Sequence, residues 1–320
     1  MAGGFNTNTR QKFVRLPALT KPVGGGMVSR ELPKAGLLGN LFLQIRGSVS
    51  GTLTSPNPLG FASVINGVRL TLNTGIDLFN LSGAHLYYLL NELLESEYHL
   101  AIANDGRTAV AATSFNLDTI IPVRLNLRDP VGLVMLQSEQ TTVTLVVDFA
   151  SDSTVATGAT VTAVVTPLLE LFTVPADTAD WPPLNVLHQV IGDSQSVTGG
   201  ADVTYEPPRG NTYVQLAHGF GIGAAGTDQW SRFIVRVNQS DTIADLTPEF
   251  ADMLHLFYRG RTRPAGGIYV DYIGSSGLGT YGLARDLFNS ALTTDYAHVI
   301  TPTTSGTLYS MRRQLVPLTP

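Results

Sequence analysis

The sequence predicts an all-β protein made of two similar β-sandwich halves, each with one short amphipathic helix. Three observations predict this class: apolar residues alternate with polar ones in several segments, helical periodicity occurs in two segments, and an ordered set of features occurs twice. The length of 320 residues is compatible with two domains of about 150 residues each.

Apolar and polar residues alternate along much of the first half. The alternating segments are residues 41–46, 68–73, 121–128, 143–149 and 161–165. Because successive side chains of a β-strand point to opposite faces, this pattern places one set on each face of a sheet. It favours antiparallel sheets over a doubly wound α/β fold.

Two segments instead show the spacing of an amphipathic helix with one apolar stripe. The first stripe is Leu86, Leu89, Leu90, Leu93 and Leu94, and the second is Phe250, Met253, Leu254 and Phe257. Ser82 is predicted to cap the first helix. Thr247 is predicted to cap the second, with Pro248 at its first position.

The order of strand, strand, asparagine turn, cap and helix occurs twice. Residues 39–45 match residues 210–216 at an offset of 171, and residues 68–73 match residues 233–238 at an offset of 165. The sequence therefore predicts an internal duplication. The predicted organisation is an extended arm at 1–34, a first jelly-roll sandwich at 35–174, a proline-rich linker at 175–185 and a second sandwich at 186–320.

Charge is low and unevenly distributed. Charged residues make up 14% of the chain and the net charge is −5, which suggests that much of the flank is covered by partners. The segment 1–34 is nevertheless basic. Arg10, Lys12, Arg15 and Lys21 are candidates to face nucleic acid or lipid headgroups, and a solvated leader is the alternative.

Several classes of chemistry are absent from the sequence. There is no cysteine, the histidines lack the spacing of metal ligands, and no phosphate-binding loop is present. We therefore expect no cofactor and no metal. No segment is long and apolar enough to span a bilayer, and the N-terminus lacks the apolar core of a signal peptide, so we expect synthesis in the cytoplasm.

One arrangement resembles an active site. Gly192-Asp193-Ser194 and the pair Asp295 and His298 are similar to the nucleophile and base blocks of Gly-Asp-Ser esterases. In that interpretation Ser194 attacks, His298 takes its proton and Asp295 orients the imidazole. The flanking sequence lacks the alternating strands and long helices of that fold, so an enzyme is the less favoured interpretation.

The tandem sandwiches with an inserted helix resemble the double jelly-roll major capsid proteins of tailless, membrane-containing (tectivirus-like) phages, and the related adenovirus hexons. The resemblance rests on the repeat and the helix position over residues 35–320. It implies a non-enzymatic protein of an icosahedral virion, assembled as trimers that tile as pseudo-hexamers. Implied partners are further copies, other capsid proteins, and an internal membrane or the genome through the basic arm.

Candidate subunit contacts follow from this interpretation. They are Phe220, Ile222, Trp230 and Tyr281, for which ordinary core packing is the alternative. Two other functions stay open: a single-jelly-roll coat protein with a protruding domain and an RNA-binding arm, and a tail or carbohydrate-binding module.

Overall fold

The computed structural model describes residue 5 and residues 8–51, 57–73, 75–94, 112–125, 130–155, 157–222, 227–238, 241–272 and 287–318. The chain forms two compact units. Unit 1 contains residues 1–87, 97–191 and 316–320, and unit 2 contains residues 88–96 and 192–315. Each unit includes a short segment from the other half of the sequence. The predicted boundaries at residues 34, 174 and 185 follow the order of the repeat and stay a prediction.

The described residues of unit 1 contain eleven complete strands. They are β1 (Gln11–Arg15), β2 (Leu19–Thr20), β3 (Gly26–Glu31), β4 (Leu37–Ser50), β5 (Ile65–Leu72), β6 (Ile76–Leu81), β7 (Thr113–Asn116), β8 (Thr119–Pro122), β9 (Val134–Met135), β10 (Val143–Phe149) and β11 (Thr160–Phe172). One sheet has the order β1-β11-β4-β7, and in the other β6, β5, β10 and β3 are neighbours. β12 (Val186–Val197) begins in this unit and runs parallel to β6.

The alternating segments of the first half bury one face, as the pattern predicts. In β10, Val143, Leu145, Val147 and Phe149 are buried while the residues between them are half-buried. Each fully buried aliphatic or aromatic side chain contributes roughly 1.5–3 kcal/mol to folding. Of the predicted strand at 121–128, Ile121 and Pro122 lie in β8, residues 123–125 are not strand, and residues 126–129 lie outside the described residues.

Unit 2 contains the remaining strands. They are β13 (Val203–Tyr205), β14 (Thr212–Phe220), β15 (Trp230–Val237), β16 (Asp241–Leu246), β17 (Gly267–Asp271), β18 (Phe288–Asn289), β19 (Tyr296–Pro302) and β20 (Gly306–Pro317), the last of which ends in unit 1. One sheet has the order β13-β19-β15-β16, and β14 pairs with β17, β18 and β20. Tyr213, Phe220, Trp230, Phe233 and Ile300 lie in the core of this unit.

The duplication is visible in the pairing registers. In unit 1, β5 pairs with β6 so that Val68 faces Leu81, and the register shifts after Leu70. In unit 2, β15 pairs with β16 so that Phe233 faces Leu246, and the register shifts after Val235. The equivalent positions are Val68 and Phe233, Leu70 and Val235, and Leu81 and Leu246. Each pair is separated by the offset of 165 predicted from the sequence. The same hairpin, with the same irregularity, is therefore built twice.

The turn after each of these hairpin strands is also repeated. Asn73 has φ 48° and Asn238 has φ 53°, and these are the two non-glycine residues with positive φ in the described part of the chain. Asparagine tolerates this left-handed region better than most residues because its short side chain bonds locally. Each side chain here accepts a backbone N–H, from Thr142 and Thr294 respectively.

Among the described residues, helical segments are short except for one helix near residue 250. A π-helical turn at His85–Leu90 continues as α1 (Asn91–Leu93), α2 spans Asp152–Val155 and α3 spans Pro248–Arg259. The first predicted helix is therefore confirmed, and its leucines at 86, 89, 90 and 93 are buried. Ser82 bonds the ring of His85, and Thr247 bonds the Glu249 carboxylate, so neither side chain caps the backbone as predicted.

The predicted arm is largely strand. β1 and β2 pair with β11, and β3 pairs with β10. The sequence pattern is weak here because β1 and β3 pair along one side only and keep most of their side chains exposed or half-buried. An edge strand of this kind needs no continuous apolar face.

Replacing Asn238 tests the repeated turn. Asn238→Ala should lower the free energy of unfolding by about 1 kcal/mol or more, because alanine disfavours positive φ and cannot accept the Thr294 N–H. Asn238→Gly should cost less, since glycine adopts this conformation without strain. Urea denaturation of both variants measures the difference, and equal destabilisation would contradict the conformational argument.

Candidate subunit-contact surface

Three of the four residues of the apolar stripe of α3 face outward, and the fourth, Leu254, is half-buried. Phe250 is 55% exposed, Met253 57% and Phe257 79%. The opposite side of the helix is the inward one, where Ala251 and His255 are buried. An amphipathic helix on a globular protein normally turns its apolar stripe to the core, so α3 is inverted.

Polar contacts explain this inversion. His255 Nε2 donates to Glu92 Oε1 at 2.9 Å, and Arg261 Nε lies 2.8 Å from the same carboxylate oxygen. Arg259 donates to the backbone oxygen of Glu92 at 2.9 Å, and its guanidinium also pairs with Asp271. Glu92 follows the π-helical turn and belongs to unit 2. The polar side of α3 therefore packs onto an ionic cluster, here called the Glu92 cluster.

The electrostatics of Glu92 fit this role. Burial acts to raise the pKa of its carboxyl group, but the His255 hydrogen bond and the charges of Arg261 and Arg259 outweigh it and hold the pKa below its usual range. The carboxylate is consequently ionised at neutral pH. A buried charge of this kind is tolerated only while its partners are present.

A second ionic group fixes the start of the helix. Arg263, whose side chain is 2% exposed, donates to Asp252 of α3 at 2.9 Å and to Asp228 at 2.7 Å. Its guanidinium also lies 5.4 Å from the ring centroid of Trp230. These contacts hold the side of α3 that carries Asp252 against the rest of unit 2. Phe250 and Phe257 therefore remain on the solvent side.

The outward side of α3 forms an apolar surface. We call it the α3 apolar face; it consists of Phe250, Met253, Leu256, Phe257 and Tyr258, each at least half exposed. Large contiguous apolar patches on soluble proteins mark interaction sites. Sequence periodicity identified the helix and its stripe but not its direction, because the partners of its polar side come from distant parts of the chain.

The predicted contact residues lie elsewhere. Phe220, Ile222 and Trp230 are 1%, 6% and 2% exposed, so they are core residues of unit 2 and present no surface to a neighbour. Their prediction as contacts is corrected accordingly: Trp230 is covered by Arg263, and Phe220 packs in the core with Leu308. Tyr281 lies outside the described residues.

The basic residues of the N-terminal segment divide into two groups. Arg10, Lys12 and Arg15 are exposed on or beside β1. Lys21 is buried and its Nζ pairs with Asp152 at 2.6 Å, so it holds the segment to unit 1 and does not face outward. Phe13, 55% exposed, lies between the exposed cations and packs near Phe42.

The esterase residues do not form a triad. His298 Nδ1 is bonded to His218 Nε2 at 2.7 Å, and His298 Nε2 is bonded to Tyr296 at 2.6 Å. Both ring nitrogens are therefore occupied by groups other than Ser194 and Asp295. His298 is fully buried, whereas Ser194 is exposed on β12.

Two further features are absent from the described ranges. No group of three acidic, histidine or cysteine side chains there could hold a metal ion. Among the same residues, no helix is long and apolar enough to cross a membrane.

Comparison with known proteins identifies the fold. The sequence matches no family model and no curated protein. The crystal structure of the STIV MCP matches with a TM-score of 0.75 at 12% identity, over 96% of this chain and 97% of that one. The major capsid protein P2 of bacteriophage PM2 matches with a TM-score of 0.60 at 12% identity, over 97% and 98%. The Faustovirus major capsid protein matches at 0.61 and 9% identity, over 96% and 90%.

These structures share a fold class with this chain. They are double jelly-roll major capsid proteins, and the match covers nearly the whole of each chain. The predicted all-β fold of two tandem jelly rolls is therefore confirmed, and the alternative with a single jelly roll is wrong. Because the sequence identities are so low, the similarity concerns the fold itself.

The Glu92 cluster can be tested by replacing the carboxylate. Glu92→Gln should lower the free energy of unfolding by about 3 kcal/mol, because it leaves Arg261 and His255 without their buried anion. The matched control is Asp245→Asn, which removes the exposed pair between Asp245 and Arg232 and should change little. Chemical denaturation of both variants measures this, and equal effects would contradict the role assigned to Glu92.

Proposed function

We propose that this chain is a major capsid protein whose copies assemble into the shell of an icosahedral virion, as trimers that tile as pseudo-hexamers. The supporting observation is the double jelly-roll fold, which it shares along almost its full length with the major capsid proteins of STIV and bacteriophage PM2. In this proposal the protein is structural, acts without enzymatic chemistry or a cofactor, and resides in the virion after synthesis in the host cytoplasm.

The α3 apolar face supplies a contact for self-association. Its five side chains are exposed in the single chain, and burying apolar surface is the main driving force of protein association. A second copy of this chain is the proposed occupant, because a shell protein meets copies of itself at high local concentration. In a trimer the α3 apolar face of one copy contacts a different surface of the next copy. Such heterologous contacts can close into rings.

Assembly should depend on this face. The double variant Phe250→Ser and Phe257→Ser should keep the stability of the single chain, since both residues are surface residues. It should need at least about tenfold higher concentration to form trimers or lattices, because about 1.4 kcal/mol of lost contact energy produces that factor. Light scattering and negative-stain imaging measure assembly.

Leu292→Ser is the matched control, because Leu292 is 83% exposed but lies outside the α3 apolar face. It should assemble like the unaltered chain. Normal assembly of the double variant would exclude the α3 apolar face as a contact. A chain that remains monomeric in all conditions would count against the proposed function itself.

We also propose that the exposed cations near β1 contact phosphate groups, of the genome or of an internal membrane. Arg10, Lys12 and Arg15 lie close together in sequence, and Phe13 offers an exposed apolar ring between them. Other capsid proteins are further proposed partners, through surfaces that the described residues do not identify.

Neutralising these cations tests the second proposal. The triple variant Arg10→Gln, Lys12→Gln and Arg15→Gln should weaken binding to anionic surfaces and flatten its salt dependence, because fewer counterions are released. Flotation with anionic vesicles and anisotropy with a DNA oligomer distinguish the two phosphate sources. Lys21→Gln is the control, since its buried pairing predicts lower stability with unchanged binding. An unaltered salt dependence in the triple variant would contradict the assignment.

A further inference from the structure

Two histidines lie directly against each other in the core of unit 2. His218 on β14 and His298 on β19 are both 0% exposed, and His218 Nε2 is 2.7 Å from His298 Nδ1. The two strands belong to different sheets, so this bond connects the two layers of the sandwich. We call these residues the histidine pair.

Hydroxyl groups occupy both ends of the histidine pair. Ser310 Oγ is 2.8 Å from His218 Nδ1, and Tyr296 OH is 2.6 Å from His298 Nε2. Tyr296 is in turn hydrogen bonded to Tyr272. The result is a continuous polar row of five side chains through the interior.

The row is complete when both rings are neutral. One proton then lies in the bond between the rings, and each terminal nitrogen either donates to its hydroxyl partner or accepts from it. A third ring proton makes both end nitrogens donors and creates a buried cation. A fourth places two N–H groups against each other across 2.7 Å, which breaks the bond between the sheets.

No carboxylate in the described part of the chain bonds to the histidine pair. Its neighbours are the Tyr205 ring of β13 at 5.2 Å and the Phe233 ring of β15, together with Ser310 of β20 and Tyr296 of β19. Asp193 and Arg312 bond the Tyr205 hydroxyl and each other, on the far side of the Tyr205 ring's contact with His218. This environment gives a protonated imidazole no counterion.

Burial has the expected effect on titration. It lowers the pKa of His218 to about 3 from an ordinary value of 6.5, and burial together with the neighbouring His218 lowers the pKa of His298 well below that value. Both rings are neutral in the folded unit, and their pKa values return to the ordinary value of 6.5 when the unit opens. The free energy of unfolding of unit 2 is therefore not reduced by these rings above pH 6.5, and it declines as the pH falls below that value.

We propose that the histidine pair makes unit 2 an acid-sensitive element: separation of its two sheets lets both rings take up protons, so this opening becomes more favourable at mildly acidic pH, before carboxylates titrate. The corresponding position in unit 1 is apolar. By the registers of β10 with β5 and of β19 with β15, His298 corresponds to Leu145, which is fully buried. His188 is a buried histidine of unit 1 and provides an internal comparison.

Hydrogen–deuterium exchange of the full chain between about pH 7.5 and 5, corrected for the intrinsic pH dependence of exchange, tests this directly. If two protons are taken up on opening, the protection of β14 and β19 should fall by up to about a hundredfold per pH unit below about pH 6.5. The protection of β4 and β10 in unit 1 should fall less. Constant protection of β14 and β19, or parallel loss in both units, would overturn the proposal.

Variants identify the responsible groups. His298→Gln removes one titrating ring while keeping an amide that can donate and accept, so the pH response of β14 and β19 should weaken to about tenfold per unit or less. His188→Gln is the matched control in unit 1 and should leave that response unchanged. An unweakened response in His298→Gln would overturn the proposal, and if this variant does not fold, exchange in the unaltered chain decides. The acid response does not depend on the proposed function.

Discussion

The direction in which α3 faces is set by the buried carboxylate of Glu92. His255 and Arg261 contact this carboxylate, and Arg259 bonds the backbone of the same residue. Because these groups all lie on the polar side of the helix or just after it, satisfying them turns Phe250, Met253 and Phe257 toward solvent. An unpaired buried charge costs several kcal/mol, so the polar side of α3 is held against Glu92.

The two units use one hairpin plan with different interiors. A single sequence offset relates the pairings of β5 with β6 and of β15 with β16, the register shift in each, and the left-handed asparagines Asn73 and Asn238. The interiors differ in the third strand: Leu145 is buried in unit 1 where unit 2 has His298. Backbone geometry is thus repeated while core chemistry is not. At this position the leucine of unit 1 has no titratable group, whereas the histidine of unit 2 has one.

Sequence reasoning predicted features that depend on local pattern. The alternation in β10, the leucine stripe before α1 and the repeated asparagine turn are all local, and the structure contains each of them. It failed where distant residues decide. The direction of α3 depends on Glu92, which lies in the other half of the sequence, and Trp230 is buried by the core of unit 2, with Arg263 over its ring. The strands β1 and β3 lack a pattern because their order comes from pairing with β11 and β10.

We propose that another copy of this chain covers the α3 apolar face in the assembled shell. Electron cryomicroscopy of assembled particles tests it most directly. We expect density of a neighbouring copy to cover Phe250, Met253 and Phe257. Particles in which these side chains remain in contact with solvent on every copy would contradict it.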